Sequence, residues 1–251
     1  MADAPSPLSH DKPASGRNLT SRIAHDLGSA IVTGRYTSDT PFPVEAELCR
    51  QYGASRPVVR EAVKMLTAKG MLRARQRAGT VVEPEDNWNL LDPDVLRWML
   101  ERDFSVELLV DFTEMRMSIE PRAAGLAATS ATGPQRQAIV HAIERMFAAE
   151  RGKEDALEAD IAFHTAVLLA SNNRFMKQFK DLSETTLRFS IRRTNALKRV
   201  STPSAADHKQ VADAIVRGEP DVAARRMNAL LRGALDLLLA EAGHPSYPEF
   251  Y

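Results

Sequence analysis

At 251 residues the chain is long enough for one large domain or two ordinary ones. A composition of 44% hydrophobic and 26% charged residues is that of a globular protein and excludes disordered and collagen-like classes. Thirty-three basic residues cancel thirty-three acidic ones, so a polyanionic partner has to be argued from local asymmetry.

A single cysteine, Cys49, has no internal disulfide partner, and the start MADAPSPLSHDKPASG contains no apolar run resembling a signal sequence. Even the apolar stretch around Leu237 is flanked by Asp236 and Glu241, too short for a membrane span. A soluble, cytoplasmic protein with no membrane association is expected.

Residues 1–17, rich in Ala, Pro and Ser without periodicity, read as a disordered tail. Leu19, Ile23, Leu27 and Ile31 then recur every four residues, the stripe of a first helix that Gly34 stops. A Pro-Phe-Pro break at 41–43 precedes a short helix from Glu45 to Tyr52, acidic in its first turn and ended by Gly53. Ser55 is a cap residue, Pro57 suits a first turn, and Val59, Ala62, Val63 and Leu66 mark the buried face of a third helix that stops at Gly70. MLRAR and TVVE, separated by Gln76, Arg77, Ala78 and Gly79, have the spacing of a hairpin with glycine at positive φ. Three helices and a hairpin complete a small domain over 18–83, followed by a linker at 84–93.

From Asp94 to Glu241 the periodicity is helical only, broken near Ser105, Gly133, Gly152, Asn172, Pro203 and Gly218. Pro121 falls inside the apolar pattern from Val106 to Ala128 and predicts a kink or break there. Six or seven helices without a fixed repeat predict a compact all-α bundle over 94–241, and 242–251 forms a tail. The fold class is mainly α.

Between Arg50 and Thr80 stand Arg50, Arg56, Arg60, Lys64, Lys69, Arg73, Arg75 and Arg77, opposed by Glu61 alone. A run of charges is ordinarily a solvated face. Here, a short helix, a tight turn at Gly53-Ala54, a second helix and a basic hairpin describe a winged helix-turn-helix, whose second helix enters the DNA major groove. Ser55 and Arg56 open that helix and Arg60 lies one turn on, placing both arginines within reach of a base edge or a phosphate. Val59 and Val63 are assigned to the core.

In the second domain Asp160 and His164, four apart, share a helix face and can bind one ion, although the same spacing also serves a surface ion pair or a hydrogen-bonded core histidine. The stripe Met227, Leu231, Ala234 and Leu238 is packing, and His10, His25, His141 and His244 lack partners at ligand spacing. GxGxxG, Walker, HExxH and nucleophile-elbow motifs are absent, so no enzymatic activity is expected.

The run PFPVEAELCRQYGASRPVVREAVKMLTAKGMLRARQRAGTVV resembles the DNA-binding domain of the GntR family of bacterial transcription regulators. The resemblance implies that Ser55, Arg56, Arg60, Arg77 and Gly79 meet double-stranded operator DNA. Ala46 departs from the family's polar or basic phosphate-contacting residue, a role open to Arg50. EMRMSIEPRAAGLAA, ADIAFHTAVLLASNN and DHKQVADAIVRGEPDVAARRM resemble the all-helical FCD effector domain of the FadR subgroup, while NWNLLDPDVLRWML is similar to its galactonate- and other sugar-acid-responsive members.

That resemblance implies a divalent metal, zinc favoured, held by Asp160, His164 and His208. A further family histidine is replaced by Leu230, which leaves open whether three ligands hold the metal or the three side chains bind the effector directly. It also implies that Arg116 clamps an effector carboxylate, the alternative being an ion pair with Glu120 one turn on. Arg188, Arg192 and Arg193, on a long helix starting near Asn172, can add donors or form a solvated basic face. The expected protein is a homodimeric repressor of a sugar-acid operon, released from DNA by its effector. The rivals are a same-fold regulator answering to an acyl or amino-acid carboxylate, and a metalloenzyme built on Asp160, His164 and His208.

Overall fold

The computed structural model describes residues 16–76, 79–102, 105–198 and 204–244, with the backbone alone at 16–18 and 191–198. Arg77, both tails up to Ser15 and beyond His244, and the side chains of Arg192 and Arg193 lie outside the described residues. Two units divide the chain at Trp98 and Met99.

The first unit begins with α1 (Gly16–Val32), α2 (Glu45–Tyr52) and α3 (Arg56–Ala68), followed by β1 (Leu72–Arg75) and β2 (Gly79–Val82). Ile23, Leu27 and Ile31 of α1 are buried with Leu48, Val59, Ala62 and Leu66, as their four-residue spacing predicts. Val63 is only half-buried and lines a surface groove. The strands pair antiparallel from Leu72 opposite Val82 to Arg75 opposite Gly79, whose φ of 77° sits where the hairpin turns back. Ser55 occupies the cap position of α3, but its side chain makes no capping hydrogen bond, leaving an exposed hydroxyl at the helix start.

Residues 84–93, expected as a linker, instead pack on this unit together with the start of α4 (Pro93–Arg102). Two glycines make this packing possible. A Cβ on Gly28 would come within 2.4 Å of the Trp98 ring, and one on Gly70 within 2.3 Å of the Asn87 carbonyl oxygen. Trp98 Nε1 donates to His25 Nδ1 at 2.7 Å, and Lys69 Nζ reaches Asp92 at 2.7 Å and Asp94 at 3.0 Å. His25 therefore has a structural partner that its sequence spacing did not suggest.

The second unit is an all-α bundle of α5 (Val106–Ser130), α6 (Gly133–Glu150), α7 (Ala156–Ala170), α8 (Phe179–Lys198), α9 (Ala205–Arg217) and α10 (Pro220–Ala242). Ser105 caps α5 by accepting from Leu108 N at 3.1 Å, and Asp155 caps α7 through Leu157 N and Glu158 N. Pro121 does not break α5, which runs on to Ser130. An internal proline costs a helix about 3 kcal/mol; the wholly buried residues Ala123, Ala124 and Ala127 just beyond it hold the chain against the core. Small residues there also let α10 approach, with a Cβ on Gly125 falling 3.3 Å from the Pro220 carbonyl oxygen. The helix expected to start near Asn172 begins at Phe179, because Asn173 Oδ1 accepts from Phe175 N and Met176 N and turns the chain first. Among the described residues no helix is long and apolar enough to cross a membrane.

Candidate functional site

Two clusters of polar side chains stand out, one in each unit. On the first, Arg56 and Arg60 project from one face of α3 with side chains 72% and 64% exposed. Their orientation is set from α2: Glu45, its first residue, accepts from Arg60 Nε at 2.6 Å and lies 3.8 Å from Arg56 Nε. Glu45, Arg60, Lys64, Gly79 and Thr80 border one groove, so the expected helix and wing residues Arg60 and Gly79 are brought together. Ser55, Arg50 and Arg75 are exposed.

Not every basic residue of the Arg50–Thr80 window belongs to this surface. Lys69 is largely buried in its pairing with Asp92 and Asp94, and Arg73 is bonded to Glu83. Arg73 and Asn87 together hold the Glu83 carboxyl below its usual range. All three acidic partners, Glu83, Asp92 and Asp94, lie outside the Arg50–Thr80 stretch, as does Glu45.

In the second unit, α5, α7 and α9 bring Arg116, Glu120, Asp160, His164 and His208 together, all at most 5% exposed. His164 Nδ1 lies 2.7 Å from Glu120 Oε2, and since a carboxylate accepts only, the ring proton is on Nδ1 and donates to it. His208 Nδ1 donates in the same way to the Ser204 carbonyl oxygen at 2.7 Å. Both Nε2 atoms are thereby turned toward Asp160 Oδ1, at 3.4 Å for His164 and 2.9 Å for His208. Phe163, wholly buried, packs edge-on against both rings with centroids 5.4 and 5.0 Å away.

Despite these short distances, Asp160 Oδ1 is buried without an aligned hydrogen bond. Two nitrogens and a carboxylate oxygen thus lie within 4.8 Å of one another. Such a set can hold a divalent cation, and the outer nitrogens are fixed by a carboxylate and a backbone carbonyl, as those of metal-binding histidines commonly are. The residues present fit the group. For the side chains by themselves, burial pushes Asp160 up, but His208 and His164 pull it well below the carboxylate range. Burial and the Arg116 charge lower His164, and the Glu120 and Asp160 carboxylates together more than restore it, raising it above its usual value.

Arg116 lies against this cluster with Nε 2.6 Å from Glu120 Oε1 and Nη2 3.2 Å from Oε2. Burial alone would raise Glu120, and the guanidinium with His164 brings it down to about 2. The pairing weighed against a carboxylate clamp is therefore present in the structure. Its Nη2 also lies 3.1 Å from His164 Nδ1, but a nitrogen already donating to Glu120 cannot accept that proton.

Arg116, Asp160, His164 and His208 all line one cavity of about 330 Å³, with Leu230 on its wall. Arg226 and Asp207, outside the set expected from the sequence, line it too, alongside Thr113, Ser190, Ser204 and Gln210. Position on α10 two turns before Gly233 gives Arg226 no sequence signature, since an exposed arginine on an amphipathic helix is ordinary. Arg188 is not part of the cavity and is bonded to Glu158 and Glu184.

Residues 19–82 match the pattern of "Bacterial regulatory proteins, gntR family", and residues 111–233 match the FCD domain. The galactonate operon transcriptional repressor of Escherichia coli (strain K12) is 36% identical over 207 residues, covering 82% of this chain and 90% of that protein. The uncharacterized HTH-type transcriptional regulator YieP of the same strain is 35% identical over 230 residues, covering 90% and 98%. A solved structure described with the words "Lar controls the expression of the Listeria monocytogenes agr system and mediates virulence" shares the fold, with a TM-score of 0.58 at 13% identity over 92% of this chain and 99% of that one. An exposed arginine-bearing helix beside a glycine-turned wing, a cavity-lined helical bundle, and two relatives at 35–36% identity along most of their lengths converge on one conclusion: the chain belongs to the gntR family of bacterial regulatory proteins and is a transcriptional regulator carrying an FCD domain.

Proposed function

We propose that the protein represses an operon for sugar-acid catabolism, binding double-stranded operator DNA in the cytoplasm as a homodimer and leaving it when a small acid such as galactonate enters the bundle. The observation that carries this reading is Asp160 Oδ1, orphaned among two histidine nitrogens on the wall of a polar cavity. A buried polar atom left unsatisfied costs about 1–3 kcal/mol, so its retention calls for a ligand or ion. The cavity is near the small end of the ~300–1,000 Å³ range for ligand sites, which suits a compact polyhydroxylated acid better than a long acyl chain. The relative that represses a galactonate operon supports the same choice.

Asp160, His164 and His208 would hold the cation, zinc by the chemistry of the donors, and Glu120 and the Ser204 carbonyl keep the two rings oriented toward it. A bound zinc supplies a Lewis-acidic position open to a ligand oxygen where Leu230 brings none. The effector's carboxylate falls to Arg226, whose guanidinium has no protein partner among the described residues. Arg116, with two donors spent on Glu120, serves the site by fixing the carboxylate that orients His164 and offers only its remaining N–H groups to the acid. Ser55, Arg56, Arg60, Arg77 and Gly79 are the proposed DNA contacts. The acid acts by binding better to the pairing of heads that does not fit adjacent half-sites, since a ligand shifts an equilibrium only by its differential affinity.

The deciding experiment is a thermal-shift series on the purified full chain with galactonate, other aldonates, uronates, amino acids and fatty acids, each with and without added zinc. Sugar acids should raise the melting temperature by mass action, more with zinc than without. A response to fatty or amino acids alone would overturn the sugar-acid reading, and zinc below about one-tenth equivalent by elemental analysis after addition and desalting would remove the cation.

A further inference from the structure

The recognition surface contains an acidic residue that its supposed task does not explain. Glu45 stands at the first position of α2, where the neighbouring Glu47 already serves the helix start by accepting from Val44 N at 3.1 Å. The Glu45 carboxylate instead crosses to α3, with Oε2 2.6 Å from Arg60 Nε and Oε1 3.8 Å from Arg56 Nε. It is 31% exposed while the two arginines are 64% and 72% exposed, so the arginine side chains stand more open to a ligand than the carboxylate that pairs with them.

We propose that Glu45 is a positioning and specificity-determining residue of the DNA-recognition surface, holding Arg60 and Arg56 by their Nε ends and opposing the approach of any DNA whose bases do not engage them. The proposal rests on Arg56 and Arg60 being DNA contacts. An arginine side chain has many rotamers, and part of that freedom is lost at each base contact. Glu45 removes some of that freedom beforehand and occupies Nε, leaving both terminal nitrogens of Arg60 to meet the two acceptors of a guanine edge. Its charge acts in the other direction on the phosphate backbone. Non-specific binding is almost entirely electrostatic, so one anion at the contact face weakens every sequence alike. A guanine at the right position restores the loss, and a wrong base does not. The same residue thus raises the ratio of specific to non-specific affinity from both sides.

The test uses the full-length protein and two fluorescent duplexes of equal length, one carrying the site enriched from a random pool by the wild-type chain and one with that site scrambled. Binding of wild type, Glu45→Gln, Arg60→Ala and the double variant is titrated over a range of salt concentrations. Glu45→Gln should weaken the enriched duplex about tenfold, the scale of one base contact, and tighten the scrambled one. In the Arg60→Ala background the loss on the enriched duplex should vanish, since there is no guanidinium left to hold. Unchanged melting temperature shows that the helix start is intact. Equal tightening on both duplexes would reduce Glu45 to a general repulsive charge, and no change on either would reduce it to an idle surface pair; both overturn the proposal. If Arg60→Ala and Arg56→Ala leave both duplexes at wild-type affinity, the arginine contacts themselves fail, a result recognisable without any Glu45 variant.

Discussion

Arg60 with Glu45 on the DNA-binding unit and Arg116 with Glu120 in the bundle are joined by the same bond, Nε to a carboxylate oxygen at 2.6 Å. What differs is water. The first pair is 64% and 31% exposed, the second 5% and 1%. An exposed pair contributes little to stability because solvent screens it and either partner can leave for a better one. A buried pair has surrendered its hydration and has no alternative partner, so losing either member strands a charge. The first geometry suits a surface whose guanidinium, held at Nε, must keep its terminal nitrogens open to a base, the second a scaffold that must not move while a ligand binds beside it.

The comparison breaks most visibly at Glu120. Glu120→Ala should cost about 3–5 kcal/mol, read as a lower urea midpoint at unchanged slope. The same change removes the acceptor of His164 Nδ1 and should weaken zinc binding about 10- to 100-fold while sparing operator affinity. Replacing both Arg116 and Glu120 by Met should recover much of the stability but not the metal affinity, because an apolar pair can fill the space without orienting the imidazole. A loss no larger in Glu120→Ala than in the double variant would mean that burial has not made this pair different from an exposed one.

On the DNA-binding unit the effects move from stability to binding. Arg56→Ala and Arg60→Ala should each weaken the operator complex by about 1–3 kcal/mol where the arginine reads a base, with relaxed preference at that position and little change in melting temperature. In the bundle, Arg226→Ala should behave likewise toward the acid: the effector's affinity falls by about 1.5–3 kcal/mol, the value of a hydrogen-bonded charge, while stability is kept. Calorimetry that finds the acid's affinity unchanged in Arg226→Ala and lost in Arg116→Ala would return the carboxylate to Arg116 and sharpen what a buried pair is able to do.

How far such pairs can be read from sequence depends on whether they follow from period or from packing. The stripe Leu19, Ile23, Leu27, Ile31 and the stops at Gly34, Gly53 and Gly218 are local, set by helix geometry and positive φ, and α1, α2 and α9 end where those residues place them. Asp160 and His164 share a helix face, as do Arg116 and Glu120, so spacing shows each pair but not that the two pairs meet, and His208 follows only from the resemblance. The contacts that were missed join distant segments. Glu120 meets His164 across 44 residues, Trp98 covers Gly28 from a segment expected to start the bundle, and Glu45 reaches Arg60 from the preceding helix. No periodicity encodes which two helices will face each other, and a count of charges along the chain cannot show which of them are already spent.

Lys69 is the cleanest case of a charge that is spent. In sequence it is one of eight basic residues facing a single acid between Arg50 and Thr80. In space it is 12% exposed, bonded to Asp92 and Asp94, with its ammonium 5.9 Å from the Trp98 ring centroid. A phosphate contact releases about one counterion, so removing a DNA-facing lysine or arginine lowers the salt slope of binding by about one. Lys69→Met should leave that slope at its wild-type value, whereas Arg75→Ala, on an exposed strand position, should reduce it. The cost of Lys69→Met appears instead in the melting of the DNA-binding unit. It is smaller than at Glu120, about 1–2 kcal/mol, because Asp92 and Asp94 remain 22% and 40% exposed and regain water when the lysine is gone. Titrating both variants on the same duplex separates the two outcomes. If Lys69→Met flattens the slope as Arg75→Ala does, the lysine leaves its aspartates to meet DNA, and a partly buried pair is no more fixed than an exposed one.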